Sequence, residues 1–313
     1  MLNNITLGSR DSVLAMWQAE WVAGGLRRAH PDLNFHVTAM KTKGDNILDV
    51  ALAKIGDKGL FTKELEVALL EGKINLAVHS MKDLPTQLPD GLTIGAVCSR
   101  EYPGDVLIAK NNKTLQELRP GARIGTSSLR RRAQLLHYRP DLQMVDIRGN
   151  LPTRLRKFRE MDLDGIILAY AGVKRMGYEN LLSQMIPFEI CLPAVGQGSI
   201  GIEIRSDDDA TRAIISPLDH RESRLAIEAE RAFMKRLEGG CQVPIGAYAR
   251  VESNRLSLEG TVADLHGKNA IRRSISGPAE NAGQLGNQLA EILIEMGADK
   301  ILQQARQEFG IHE

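Results

Sequence analysis

Strand-like and helix-like segments alternate along the first two-thirds of this 313-residue sequence, and this alternation limits the folds that it can adopt. Short aliphatic runs such as Leu92–Val97 and Gly165–Ala169 predict buried strands. Between such runs, Gly59–Gly72 and Pro152–Met161 carry apolar residues at helical spacing. This order of segments predicts an α/β fold with mostly parallel sheets covered by helices.

Two turn-rich segments, Ser99–Gly104 and Leu192–Gly198, divide the alternating region. If the chain crosses out at the first segment and back at the second, two α/β lobes face each other across a cleft. Open α/β sheets bind ligands at the carboxyl ends of their strands. The cleft is therefore the expected binding site.

The last third of the chain has a different pattern. From about Arg221 we predict a long helix that ends at Gly239–Gly240, then an antiparallel meander from Val243 to Ile275 and a helix near Ala279–Arg306. This order of segments predicts a separate small α+β domain.

Composition excludes several classes of protein. Forty basic and 39 acidic residues leave a net charge of +1, which argues against binding of nucleic acid through overall charge. No apolar run reaches the roughly 18–20 residues that span a bilayer, and the amino terminus has no secretory signal pattern, so we expect a cytoplasmic protein without a membrane partner. Cys98, Cys191 and Cys241 lack metal-ligand spacing, which predicts neither a metal site nor a disulfide framework.

Most of the unusual polar residues follow predicted strands, where they would meet at the cleft. Positive charge marks the same region, because residues 123–159 contain ten Lys or Arg and two acidic residues, a local balance of +8. On charge alone, a solvated basic face remains the alternative. The polar residues that follow strands are Arg10, Ser12, His79–Asp83, Thr126–Ser128, Arg148–Asn150 and Lys174–Arg175.

The segment Thr126–Ser128 has the features of an anion site. It lies where a strand passes into a helix, so backbone N–H groups and hydroxyls can converge on an anion. Helical spacing then predicts that Arg130 and Arg131 project away from the buried stripe and contact a ligand. Arg148 and Arg154 bracket the start of the next helix and can approach the same anion.

Two single residues are candidates for chemistry. Asp83, in the segment HSMKDLP, is the candidate acid–base group, although a helix cap is the commoner role of such an aspartate. Cys241 follows two glycines just past a long helix, where the backbone permits close approach of another body. On the residues alone, a packing role for Cys241 stays open beside a covalent one.

Together these segments resemble the porphobilinogen deaminases over nearly the whole chain. The resemblance implies three domains: residues 1–98 with 199–217 and residues 104–192 form two lobes of the type II periplasmic-binding-protein kind, and residues 221–313 carry the cofactor cysteine. The matching stretches are LGSRDSVLAMWQ, KTKGD, KGLFTKELE, AVHSMKDLP, IGTSSLRRRAQL, DIRGNLPTRL, ILAYAGVKRMG, LPAVGQGSIGIE and AERAFMKRLEGGCQVPIGAYA.

The resemblance also implies the activity, that of a transferase (hydroxymethylbilane synthase) in tetrapyrrole biosynthesis. Four molecules of porphobilinogen are joined, with loss of ammonia, on a dipyrromethane cofactor that is bound by a thioether to Cys241. Water then releases hydroxymethylbilane. A monomer is implied as well.

The same resemblance implies roles for the polar residues. Asp83 matches the catalytic carboxylate of the family. The residues that match cofactor contacts are Lys82, Thr126, Ser127, Ser128, Arg130, Arg131 and Arg154. Those that match contacts to the incoming substrate and the growing chain are Arg10, Ser12, Arg148, Arg154 and Arg175.

The sequence departs from the family pattern at Asp57, in a loop thought to cover the cleft, and at Tyr102 and Gly104, in the first crossover. None of these replaces a proposed catalytic group. Two rival functions are a non-catalytic protein that binds a small anion, which needs neither Cys241 nor a third domain, and a nucleic-acid-binding protein that uses the basic stretch.

Overall fold

The computed structural model describes residues 4–42, 59–237 and 243–309. Cys241, Asp57 and the predicted helix end at Gly239–Gly240 lie outside these residues. None of the helices within the three ranges is both long and apolar enough to cross a membrane.

Strands and helices alternate up to about residue 215, and a long helix, an antiparallel meander and two further helices follow. In chain order the strands are β1 (Asn4–Arg10), β2 (Asn34–Met40), β3 (Leu76–Ser80), β4 (Leu92–Val97), β5 (Asp105–Ala109), β6 (Arg123–Gly125), β7 (Gln143–Val145), β8 (Gly165–Ala169), β9 (Gln184–Met185), β10 (Ile200–Arg205), β11 (Ile245–Glu252), β12 (Arg255–Ala263) and β13 (Ala270–Pro278). The helices are α1 (Val13–Ala29), α2 (Lys63–Leu70), α3 (Leu129–Tyr138), α4 (Leu151–Glu160), α5 (Tyr170–Arg175), α6 (Asp209–Ile215), α7 (Arg221–Arg236), α8 (Ala282–Glu295) and α9 (Ala298–Phe309).

The first two sheets have the same topology. The first has the order β2-β1-β3-β10-β4 and the second the order β7-β6-β8-β5-β9. In each, four strands run in the same direction and one strand that arrives from the other lobe is inserted antiparallel to its neighbours, β10 in the first and β5 in the second. This arrangement confirms the predicted α/β fold with two lobes of the type II periplasmic-binding-protein kind.

Helix α1 shows how local sequence places a helix against the first sheet. Ser12 caps its first turn, because the hydroxyl oxygen accepts a hydrogen bond from the N–H of Ala15 at 3.4 Å. Arg27 and Arg28 lie in its last turn, where cations are favoured by the helix dipole. Its buried face packs on the aliphatic side chains of β1, β3 and β10, so that Ser12 and the end of β1 lie together at one edge of the sheet.

The third sheet is the predicted antiparallel meander, with the order β11-β12-β13, and it packs with α7, α8 and α9 around one core. The small α+β domain is therefore confirmed. The single helix predicted near Ala279–Arg306 is wrong, since the chain forms two helices there. They are separated at Gly297, whose φ of +96° is a left-handed conformation that ends a helix and that glycine adopts without strain.

The two crossovers lie side by side. Gly198 in the second has φ +93°, and a Cβ at this position would overlap the carbonyl of Glu101 in the first. The Nε2 of Gln197 donates to the carbonyl oxygen of Pro103 at 2.6 Å. Both lobes are therefore joined through one compact double connection.

A buried carboxylate ties this connection to the third domain. Glu230 of α7 is fully buried, and its Oε1 lies 2.6 Å from Nη1 of Arg100 in the first crossover. Its carboxylate also accepts the backbone N–H groups of Gly196, in the second crossover, and of Ala249 in β11, both at 2.8 Å. One side chain thus holds three parts of the chain together.

We expect Glu230→Gln to lower the free energy of unfolding by about 3–5 kcal/mol, because the charge of Arg100 would stay buried without its partner. Glu291→Gln is the matched control, since it breaks the half-exposed pair between Glu291 of α8 and Arg236, which lies on the same helix as Glu230, and should cost about 1 kcal/mol or less. Urea unfolding of both variants measures the difference, and equal losses of stability would contradict the role of Glu230.

Candidate functional site

The carboxyl end of β3 carries Lys82 and Asp83. The strand runs into a single 3-10 turn, Met81–Asp83, whose first N–H donates to the carbonyl of Ser199 at 3.0 Å. At the end of the strand, the hydroxyl of Ser80 is hydrogen-bonded to the side-chain amide of Gln18 in α1, with 2.9 Å between Oγ and Nε2. The turn is therefore held from two sides, at the edge of the sheet where ligands bind.

Two neighbouring pockets open at this edge and share part of their walls in α1 and β3. The first has a volume of about 410 Å³ and is lined by Arg10, Ser12 and Asp83. The second, of about 310 Å³, lies between the lobes and is lined by Lys82 from the first lobe and Arg175 from the second. The predicted residues of β1, β3 and α5 thus meet in one cleft.

Arg130 and Arg131 are buried, with relative exposures of 4% and 5%, which corrects the prediction that they project away from the buried side of their helix. Nη1 of Arg130 and Nη2 of Arg131 each lie 2.7 Å from one carboxylate oxygen of Asp105, at the start of β5. The Nε2 of Gln197 donates to the same carboxylate at 2.8 Å. Burial by itself raises the pKa of Asp105, but the two guanidinium groups more than offset this and hold that pKa well below its ordinary value.

The hydroxyls of Thr126–Ser128 have internal roles. Oγ of Ser128 caps α3 by accepting the N–H of Arg131 at 3.5 Å, and Oγ1 of Thr126 accepts the N–H of Ser128 at 3.2 Å. Oγ of Ser127 donates to the carbonyl of Ile147 at 2.9 Å and accepts its N–H at 3.0 Å. In these bonds Thr126 and Ser128 act as acceptors and keep a hydroxyl hydrogen for a ligand, whereas Ser127 uses its hydrogen inside the lobe.

Arg154 lies among other cations at the start of α4. Its Nε donates to the carbonyl of Gly149 at 2.8 Å. Burial, with smaller contributions from Arg131 and Arg148, lowers the pKa of Arg154 to about 10, while Asp83 opposes them. Arg154 therefore belongs to the same electrostatic neighbourhood as Asp83.

Arg10 and Arg175 line the two pockets from opposite lobes. The guanidinium carbon of Arg10 lies 4.3 Å from the centre of the Phe61 ring. Nη2 of Arg175 donates to the carbonyl of Gly198 in the second crossover at 2.6 Å. The ring of Phe61 thus helps to position Arg10, and the carbonyl of Gly198 helps to position Arg175.

Sequence reasoning missed Asp105, Gln197 and Gln18. No local signal marks them, since each acts on residues that are far away in the chain. His79, interpreted from the sequence as structural, is buried with its Nε2 3.0 Å from the buried carboxylate of Glu203.

Comparison with known proteins assigns the chain to a family. Residues 5–213 match the family described as porphobilinogen deaminase, dipyromethane cofactor binding domain, and residues 224–295 match the porphobilinogen deaminase C-terminal domain. The chain belongs to the porphobilinogen deaminase family. The porphobilinogen deaminase of Carboxydothermus hydrogenoformans is 61% identical over 308 residues, and that of Pelotomaculum thermopropionicum is 59% identical; each alignment covers 98% of this chain and 99% of the relative.

Solved structures are more distant. A probable amino-acid ABC transporter extracellular-binding protein from Bacillus subtilis covers 70% of this chain and 90% of its own, at 12% identity and a TM-score of 0.43. That similarity is too low to carry an argument, so the fold class rests on the sheet topology of this chain and its function on the family.

The cleft of this porphobilinogen deaminase family member fits the dipyrromethane cofactor that the domain description names. Each pyrrole ring of that group carries an acetate and a propionate. Burial lowers the pKa of both Lys82 and Arg154, which means that the carboxylates nearby do not fully compensate these cations. Among the described residues, the buried Nε atoms of Arg130 and Arg131 also have no hydrogen-bond partner. Carboxylates of a ligand would supply both the charge and the acceptors.

We expect the ε-amino group of Lys82 to titrate near pH 8 in a Cys241→Ser variant without cofactor, because burial lowers its pKa to about 8 from an ordinary 10.5. The unfolded chain then binds more protons than the folded one between these two values, so the free energy of unfolding rises with pH over this range.

Acylation of the Lys82 peptide, followed by mass spectrometry as a function of pH, measures this pKa, and Lys82→Arg identifies the modified peptide. The carboxylates of the cofactor should raise the pKa of Lys82 and slow its acylation at pH 8. An identical profile with and without cofactor would show that Lys82 does not face it.

Proposed function

We propose that this cleft carries out the reaction of the family with Asp83 as the catalytic carboxylate and Cys241 as the cofactor anchor. The reaction is the stepwise condensation of four porphobilinogen molecules with loss of ammonia, followed by hydrolytic release of hydroxymethylbilane. One observation carries the assignment of Asp83. In the part of the chain that the structure describes, its carboxylate makes no hydrogen bond or ion pair, although it lines a pocket with Arg10 in a cleft rich in cations.

An unpaired carboxylate at this position suits the chemistry of the substrate. It can accept the pyrrole N–H of porphobilinogen and stabilise the positive charge that develops on the ring as ammonia leaves. Lys82 is its neighbour in the chain, and the charge of Asp83 raises the pKa of Lys82 against the effect of burial. When bound, the dipyrromethane supplies the free pyrrole carbon to which the substrate is joined.

The polar residues of the cleft fall into two proposed groups, one that binds the substrate and growing chain and one that binds the cofactor. We propose that Arg10, Ser12, Arg148 and Arg175 hold the carboxylates of the incoming ring and the growing chain, with Arg154 serving both substrate and cofactor. Without fixed cations, carboxylates brought together in a cleft of low dielectric would repel one another strongly. The residues proposed for the cofactor are Lys82, Thr126, Ser128, Arg130 and Arg131, with Ser127 contributing its backbone rather than its hydroxyl.

The proposed domains are residues 1–98 with 199–217, residues 104–192 and residues 221–313, a division supported by the three separate sheets. We further propose a cytoplasmic monomer that acts on porphobilinogen and has no nucleic-acid or membrane partner. The two described cysteines, Cys98 and Cys191, are free thiols, which is typical of proteins in a reducing compartment.

We expect Asp83→Asn to lower kcat by about 10²–10⁴-fold, the range typical of a lost general acid–base group, while the variant folds and still attaches its cofactor. Asp90→Asn, in the exposed loop that follows, is the matched control and should leave kcat unchanged. Steady-state turnover with porphobilinogen measures both variants, and a rate close to that of the unmodified enzyme in Asp83→Asn would remove the assigned role.

The intact mass of the denatured protein tests the anchor. We expect an added mass equal to two linked pyrrole units, which should be absent from Cys241→Ser. If the mass of the unsubstituted protein stays that of the bare chain after incubation with porphobilinogen, the anion-binding function becomes the better explanation of this fold.

A further inference from the structure

An exposed tryptophan lies at the mouth of the cleft. Helix α1 begins at the cleft, where Ser12 and Gln18 line the first pocket. Trp17, beside Gln18 on this helix, is 38% exposed. The guanidinium carbon of Arg175, from the other lobe, lies 5.9 Å from the centre of an indole ring of Trp17. Trp17 is thus a partly exposed aromatic ring with a cation beside it.

The other tryptophan of the chain gives a comparison. Trp21 is on the same helix and is exposed to nearly the same extent, 40%. Neither tryptophan lines either pocket, and Trp21 lies about 6 Å farther along the helix axis. Of the two, Trp17 is the one whose ring lies beside Arg175, a residue of the second pocket, so a ligand extending out of that pocket would reach Trp17 first.

The contact between Trp17 and Arg175 joins the two lobes. Leu14, one turn before Trp17, approaches α5 closely, because a Cβ on Gly172 would lie 3.6 Å from its Cδ2. Arg175 at the end of α5 is tied by its hydrogen bond to Gly198 in the second crossover. The aromatic ring and the cation therefore come from opposite walls of the cleft.

The product needs more room than the two pockets provide. The volumes of about 410 and 310 Å³ include space that is open to solvent, so the enclosed part of each pocket is smaller still and cannot hold several linked rings. The proposed reaction, on which this inference rests, builds four rings on a primer of two. Later rings must therefore push earlier ones toward the mouth.

We propose that Trp17 and Arg175 form a subsite for a pyrrole ring of the growing chain, with the indole against the ring and the guanidinium at its carboxylate. A pyrrole has an aromatic face that can contact indole in an offset or edge-to-face arrangement. Its acetate or propionate supplies the anion for Arg175. The subsite holds an earlier ring that later additions have displaced, not the ring that reacts.

Two variants with a single tryptophan test this subsite. Trp21→Phe leaves only Trp17, and Trp17→Phe leaves only Trp21. Each holoenzyme is mixed with porphobilinogen, and its tryptophan emission is followed together with the intact mass of the enzyme. We expect the emission of Trp17 to change as rings are added, by at least about three times the change seen for Trp21, since stacking acts only on a ring in contact.

Equal changes for the two tryptophans, while the mass shows rings being added, would overturn the subsite and leave the proposed function intact. If no rings are added to the unsubstituted enzyme, the proposed function fails and the subsite fails with it. The intact mass therefore tests the proposed function, and the tryptophan emission tests the subsite.

A kinetic test separates ligand binding from a structural contact between lobes. Trp17→Ala should slow the later additions by about tenfold relative to the first, the factor that one aromatic contact provides, so that intermediates with one or two added rings accumulate. Trp21→Ala should show the distribution of the unsubstituted enzyme. If Trp17→Ala slows all four additions alike, Trp17 only positions the lobes and the subsite is excluded.

Discussion

The buried carboxylate of Glu230 is the interaction on which the arrangement of this molecule depends. It forms an ion pair with Arg100 in the first crossover and accepts a hydrogen bond from the N–H of Gly196 in the second. The residue itself belongs to the third domain. A buried charge is costly unless its partners stay in place. Both crossovers between the lobes are therefore fixed to the third domain at a point outside the cleft. Any change in the width of the cleft must occur about this fixed point.

Inside the cleft, by contrast, some of the buried cations are not fully compensated by carboxylates. Asp105 compensates Arg130 and Arg131, but Lys82 and Arg154 lie close to other cations, and burial disfavours their charged forms. Such an arrangement destabilises the empty fold. It is suited to a ligand with many carboxylates, because each carboxylate that enters relieves repulsion already present. The cost to stability and the affinity for a polyanion have the same physical origin.

Local sequence patterns predicted most of the secondary structure, since strand and helix periodicities depend on neighbouring residues. They also placed Arg10, Asp83 and Arg175 at the cleft, because the carboxyl ends of parallel strands share one edge of a sheet. The patterns gave wrong predictions where a contact with a distant part of the chain determines the structure. A helix was predicted to continue through Gly297, and Arg130 and Arg131 were predicted to project away from the buried side of their helix, whereas both are buried against Asp105 from another strand.

By itself, the sequence determined the α/β class, the three-part order of the chain and the family, through motifs that keep their order from one end to the other. Only the tertiary structure decided which cations are compensated, that Glu230 joins both crossovers, and that Trp17 meets Arg175 across the cleft. The reason is physical. Periodicity is a property of adjacent residues, whereas the partner of a charge or a ring is set by the packing of segments that lie far apart in the chain.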